Sequence, residues 1–97
     1  MDPIIQLEQH AAELQQLGAR RIGVFGSLAR NEATSESDVD VYVEFEPSKR
    51  TFRNFNALYE LLESIFGRTV DLVTDAALSA RSARIILPTV RYAALGS

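Results

Sequence analysis

The sequence predicts an α/β (α+β) protein, a small mixed β-sheet with helices packed mainly on one face and a carboxylate site on the other. Three observations carry that expectation. Apolar residues step by three and four from Ile4 to Leu17 and again from Phe52 to Phe66, the period of helices with one buried stripe. From Asp38 to Phe45, Val39, Val41, Val43 and Phe45 occupy every second position, the period of a strand with one buried face. A third strand pattern, Thr69 to Thr74, follows the second helix. A strand, a helical crossover and another strand imply parallel strands joined by a right-handed connection.

Taken in order, Asp2-Pro3 supplies an N-cap acid and a first-turn proline. Ile4, Leu7, Ala11, Leu14 and Leu17 form the stripe of one amphipathic helix, which Gly18 closes. His10 is the sole histidine and lies at the edge of that stripe with no partner at ligand spacing, so it reads as a boundary residue rather than a catalyst. Arg21-Ile22-Gly23-Val24-Phe25 is a short strand. Gly26 and Ser27 end it, with Ser27 capping a short helix from Leu28 to Glu32. Ala33 to Ser37 is a polar connection to the second strand, Asp38 to Phe45. Glu46-Pro47-Ser48-Lys49-Arg50 is a loop.

Thr51 caps a long helix with Phe52, Phe55, Leu58, Leu61, Leu62, Ile65 and Phe66 as its apolar face, all three phenylalanines being core, and Gly67 as its C-cap. In the third strand Val70 and Leu72 share one face and Asp71 points to the other. Ser79 to Leu87 reads as a short helix capped by Ser79 or Ser82, which Pro88 ends or kinks. Val90 to Leu95 then returns as an edge strand.

At 97 residues the chain is expected to be one domain, residues 1–97, with modest stability. With 46% apolar and 24% charged residues, disorder is not expected. The absence of cysteine removes disulfides, thiolate metal sites and thiol nucleophiles together. That absence suits a reducing compartment. No charged-then-apolar leader opens the sequence and no apolar run approaches a membrane span, so a cytoplasmic protein without a membrane partner is expected. A net charge of −3 argues against general nucleic-acid binding, and any phosphate recognition must be local.

The chemistry concentrates in Gly26-Ser27 and Asp38-Val39-Asp40. Period two puts both aspartates on one face, and a one-residue slip would drive them into the core. At an effective dielectric of about 20, two charges roughly 6 Å apart repel by about 3 kcal/mol. A divalent cation removes that penalty, so the pair reads as a metal site. If the third strand lies beside the second, Asp71 joins it. A glycine-serine turn opening a helix offers backbone N–H groups to an anion. A phosphate cradle facing three carboxylates suits two Mg²⁺ ions about 3.5–4 Å apart.

Gly26-Ser27-Leu28-Ala29-Arg30-Asn31-Glu32, then Ser37-Asp38-Val39-Asp40, then Val70-Asp71-Leu72-Val73, resembles the polymerase-beta-like nucleotidyltransferase superfamily. The short length and the terminal Arg91-Tyr92-Ala93-Ala94-Leu95 are similar to its minimal nucleotidyltransferases (MNT), whose fold is little more than the catalytic core. The resemblance implies that Gly26 and Ser27 hold nucleotide phosphates, with Arg30 close to the triphosphate or the acceptor. It implies that Asp38 and Asp40 bind catalytic Mg²⁺, and that Asp71 completes the metal site and helps deprotonate the acceptor hydroxyl. Asn31 stands where the family often has glycine; asparagine tolerates a left-handed backbone better than most residues.

The resemblance also implies a role: an antitoxin that transfers AMP from ATP to a tyrosine of a HEPN-domain ribonuclease toxin. Two alternatives are an antitoxin that acts by occlusion alone and a nucleotidyltransferase acting on a small-molecule hydroxyl. Three aspartates with Gly-Ser favour catalysis over occlusion, and a chain with no second domain to close a pocket disfavours the small molecule.

Plainer readings stand beside these. Asp38, Asp40 and Asp71 would otherwise be solvated strand residues, and Arg30 a surface ion pair. Lys49, Arg50 and Arg53 read as solvated loop charge rather than as a partner contact. Tyr42 points to the aspartate face, where it fills the sheet surface or stacks on a base.

Overall fold

The computed structural model describes residues 2–30 and 38–96, with Ser27 and Leu28 as backbone only. Asp2 caps the first helix, its Oδ1 accepting from the Ile4 amide at 2.8 Å. The single helix expected from the apolar stripe is two: α1 (Pro3–Glu8) and α2 (Ala11–Gln16). The break falls at His10, whose φ of −112° and ψ of 21° leave the helical region. Leu7 and Leu14, one on each helix, are both fully buried, so the break leaves the apolar stripe facing the core. His10 Nδ1 lies 3.1 Å from Glu13 Oε1 at the surface. Gly18 follows α2 with φ +102°.

Four strands form the sheet in the order β3-β2-β1-β4. They are β1 (Ala19–Phe25), β2 (Val39–Phe45), β3 (Val70–Thr74) and β4 (Arg91–Tyr92). β2 and β3 are parallel, and β1 is antiparallel to both β2 and β4. Between β2 and β3 runs α4 (Phe52–Phe66), started by Thr51, whose Oγ1 accepts from the Asn54 amide at 3.1 Å. Gly67 ends it at φ +66°, donating to the Glu63 carbonyl at 2.8 Å. The core gathers Leu7, Leu14, Ile22, Val24, Val41, Val43, Leu58 and Leu62 between the sheet and α1, α2 and α4. Thus Val39, Val41 and Val43 face helices, and Asp40, Tyr42 and Glu44 take the opposite face.

Three further expectations need correction. Phe52 is 80% exposed rather than core, because it is the first residue of α4 and precedes the part of the helix that meets the sheet. Phe55 and Phe66 do pack against the core. The returning strand is Arg91–Tyr92 alone; beyond it Ala93 still donates to the Ile22 carbonyl at 2.9 Å, but Ala94 turns to Glu8 Oε2 at 2.7 Å. That turn lets Ala93 and Leu95 pack against the core. The short helix after β1, α3 (Gly26–Ala29), begins two residues early, so Ser27 lies in its first turn rather than at its cap. The predicted continuation through Asn31 and Glu32, and the connection Ala33 to Ser37, lie outside the described residues.

Of the two candidate caps, Ser79 starts α5 (Ala80–Ile86), accepting from the Ser82 amide at 3.1 Å. Pro88 lies in the 3-10 turn Leu87–Thr89 that ends it. No helix among the described residues is long and apolar enough to cross a membrane.

Candidate active site

Parallel pairing of β2 with β3 sets Asp40 directly abreast of Asp71. Their neighbours Val39 and Val70 pair in the same register and are buried on the helix side, so both carboxylates fall on the open side. Antiparallel pairing sets Phe25, the last residue of β1, opposite Asp40. Gly26 therefore turns immediately beside the aspartate. Its φ is +69°, and a Cβ built there would collide with Asp40 Oδ2. Only glycine admits this approach of main chain to carboxylate.

Asp38 precedes β2 and is exposed, Asp40 is half-buried, and Asp71 is exposed on the edge strand. Burial raises the Asp40 pKa above the ordinary carboxylate range, Asp71 and then Asp38 raise it further, and Arg30 opposes them. Asp71 and Asp38 thus act electrostatically on Asp40, and the Arg30 cation belongs to the same field. Arg30 is exposed just beyond α3, its amide donating to the Gly26 carbonyl at 3.3 Å. The Ser27 side chain lies outside the described residues, as do Asn31 and Ser37.

These donors are all carboxylate oxygens, the ligand type of a hard divalent cation. Among the described residues no group of three or more His, Cys, Asp or Glu side chains is already gathered at metal-ligating distance. Mutual repulsion is what a bound cation would relieve, and the raised Asp40 pKa registers it.

Tyr59 on α4 is a neighbour that sequence reasoning passed over. Burial, the Glu63 carboxylate and its hydrogen bond, and then Asp38 and Asp71 all raise its pKa. The i,i+4 spacing to Glu63 was legible, but its place beside the aspartates depends on how α4 crosses between β2 and β3.

Further along the same face Tyr42 is only 2% exposed. Its hydroxyl donates to Glu44 Oε2 at 3.1 Å, and its ring meets Tyr92 edge-on at 6.3 Å. Arg21 lies 3.9 Å over the Tyr92 ring and 3.4 Å from Glu44. Burial, then Glu44, pushes the Tyr42 pKa up, and the residue fills the sheet surface. Of the three cations expected as solvated loop charge, Arg50 instead pairs with Asp75 at 2.8 Å, whereas Lys49 and Arg53 are exposed, Arg53 in the first turn of α4.

Comparison with known proteins follows this geometry. The model of the nucleotidyltransferase domain family matches residues 7–92. The chain is 42% identical over 87 residues to protein adenylyltransferase MntA of Thermococcus cleftensis, covering 89% of this chain and 87% of that one. It is 43% identical over 60 residues to MJ1379 of Methanocaldococcus jannaschii, assigned as a protein adenylyltransferase, covering 61% of this chain and 60% of the other. A solved structure assigned as a minimal nucleotidyltransferase superposes with a TM-score of 0.76 at 34% identity, covering 94% of this chain and 95% of its own.

Proposed function

The chain belongs to the nucleotidyltransferase domain family, and from that premise we propose that it transfers AMP from ATP to a tyrosine hydroxyl of a partner protein. We take the partner to be a HEPN-domain ribonuclease toxin, for which this chain serves as antitoxin. The observation that carries the reading is the abreast pair Asp40 and Asp71, with Gly26 closed against Asp40. The similarity to a chain named a protein adenylyltransferase supports a protein as acceptor.

In this reading the Gly26 main chain and Ser27 hold the triphosphate, and Arg30 balances its charge. Asp38, Asp40 and Asp71 would hold two Mg²⁺ ions, which supply charge neutralisation at the entering and leaving oxygens of an in-line displacement. Asp71, exposed on the edge strand, receives the proton of the acceptor hydroxyl. The tyrosine oxygen bonds to the α-phosphorus as the bond to pyrophosphate breaks. Residues 1–97 act as one catalytic domain, and the acceptor surface comes from the partner.

Asp71→Asn tests it. Wild type and variant are mixed with the HEPN partner, ATP and Mg²⁺, the partner is weighed by mass spectrometry, and its ribonuclease activity is assayed. Wild type is expected to add an AMP-sized increment that Asp71→Asn does not add while still binding. No increment from wild type, with the ribonuclease still blocked, would leave occlusion as the mechanism.

A further inference from the structure

The chain after Asp75 joins one edge of the sheet to the other, β3 to β4, and must cross a face to do so. Register shows which. Gly23 pairs with Tyr42 and Phe25 with Asp40, so Gly23 shares the aspartate face. A Cβ at Gly23 would collide with the Arg91 carbonyl oxygen and lie 2.7 Å from Val90 Cγ1. The crossing chain therefore passes over the aspartate side. Arg91 pairs with Val24 and Tyr92 with Gly23, so Val90 arrives at the Phe25 end, where Asp40 lies. α5 is the helix of this crossing segment.

Its outward face has an unusual composition. Arg81, Arg84 and Ile85 stand at i, i+3 and i+4 and are all exposed, whereas Ser82, Ala83 and Ile86 are half-buried. Ile85 is 65% exposed, flanked by two guanidinium groups with no ion-pair partner among the described residues. Residues 76–97 contain Arg81, Arg84 and Arg91 and no acid, in a chain of net charge −3. The cationic face thus stands apart from the acidic remainder of the chain.

We propose that Arg81, Arg84 and Ile85 form the docking surface for the acceptor protein, which meets them with an acidic rim around an apolar pocket. The inference rests on the protein acceptor proposed above and names the surface that would hold it. An aliphatic anchor ringed by arginine is the composition of an energetic centre in a protein interface. Docking there would hold the acceptor on the side of the sheet where Asp40 lies. Three aspartates on that side disfavour a polyanionic nucleic acid as occupant.

Arg81→Glu/Arg84→Glu and Ile85→Asp test the surface, with Arg81→Lys/Arg84→Lys as the conservative control and the purified HEPN partner as probe. Partner affinity is titrated directly, KM and kcat for the partner are measured at low and high salt, and ATP affinity and the thermal melt are measured on the free chain. Charge reversal and Ile85→Asp are expected to raise the partner's Kd and KM about tenfold or more, with kcat, ATP affinity and melt close to wild type. The lysine variant should stay near wild type, and salt should weaken wild-type docking more than that of the reversal. An unchanged Kd in the reversal overturns the proposal. So does loss of ATP affinity or melt alongside it, or a wild-type self-association broken by Ile85→Asp with partner affinity intact. Wild type that binds the partner without modifying it would sink the transfer reading while leaving docking to be judged by the titration.

Discussion

Asp40 is where the proposed function would work against stability. Burial, Asp71 and Asp38 raise its pKa. A carboxyl raised by folding holds its proton more tightly in the native state, so its ionised form costs stability at every pH above the folded pKa. That cost is relieved as pH falls through the folded value toward the unfolded one. Asp40→Asn removes it. The metal-free variant is expected to be as stable as wild type or slightly more so at neutral pH, the gap narrowing on acidification, while transfer falls by orders of magnitude. Urea melts at neutral and acid pH, paired with a transfer assay, check this; a clearly destabilised variant at neutral pH would give the carboxylate a structural job instead. Gly26→Ala meets a different obstacle, a positive φ and a collision with Asp40 Oδ2. It should cost about 1–3 kcal/mol and most of the activity, read from the urea midpoint and the same assay.

Among the elements, β4 depends on the space that Gly23 leaves. Its two residues pair with β1, and the chain leading to them passes where a Gly23 side chain would be. Gly23→Ala should push that chain off the sheet at a cost of about 1–3 kcal/mol. Amide exchange should then accelerate at Ala93, whose amide donates to the Ile22 carbonyl on β1, and stay slow in β2, which α4 covers. Unchanged exchange at that amide would mean β4 is held by something other than this contact. α4 is secured differently, by the Thr51 cap, the left-handed Gly67 and the fully buried Leu58 and Leu62. Its placement does not rely on the active site.

For the whole molecule, the proposed function would link ligand and fold through the carboxylates. A cation held at Asp38, Asp40 and Asp71 would relieve native-state repulsion, so nucleotide with Mg²⁺ should stabilise the protein more than nucleotide with a chelator. At a ligand concentration of one hundred times Kd the gain is about 2.7 kcal/mol. Thermal melts of wild type and Asp40→Asn in Mg-ATP and in ATP with chelator measure it. Equal shifts in all four conditions would argue against metal-assisted nucleotide binding at this site.

Much of the fold and part of the site were legible from local pattern. The alternation Val39-Asp40-Val41 and Val70-Asp71-Leu72 was enough to turn both aspartates away from the core, because neighbours on a strand have opposite access to water. The Thr51 cap and the glycines after the helices were legible for the same reason: backbone groups at a helix end must find partners within a few residues. Tertiary structure alone decided that β3 lies against β2 in the register that sets Asp71 beside Asp40. It also decided that Phe52 faces solvent, that Tyr59 comes near Asp38 and Asp71, and that α5 belongs to the segment crossing the aspartate face. These depend on contacts between residues far apart in sequence, whose free energy exists only once the sheet has closed its order, and no local period encodes that order.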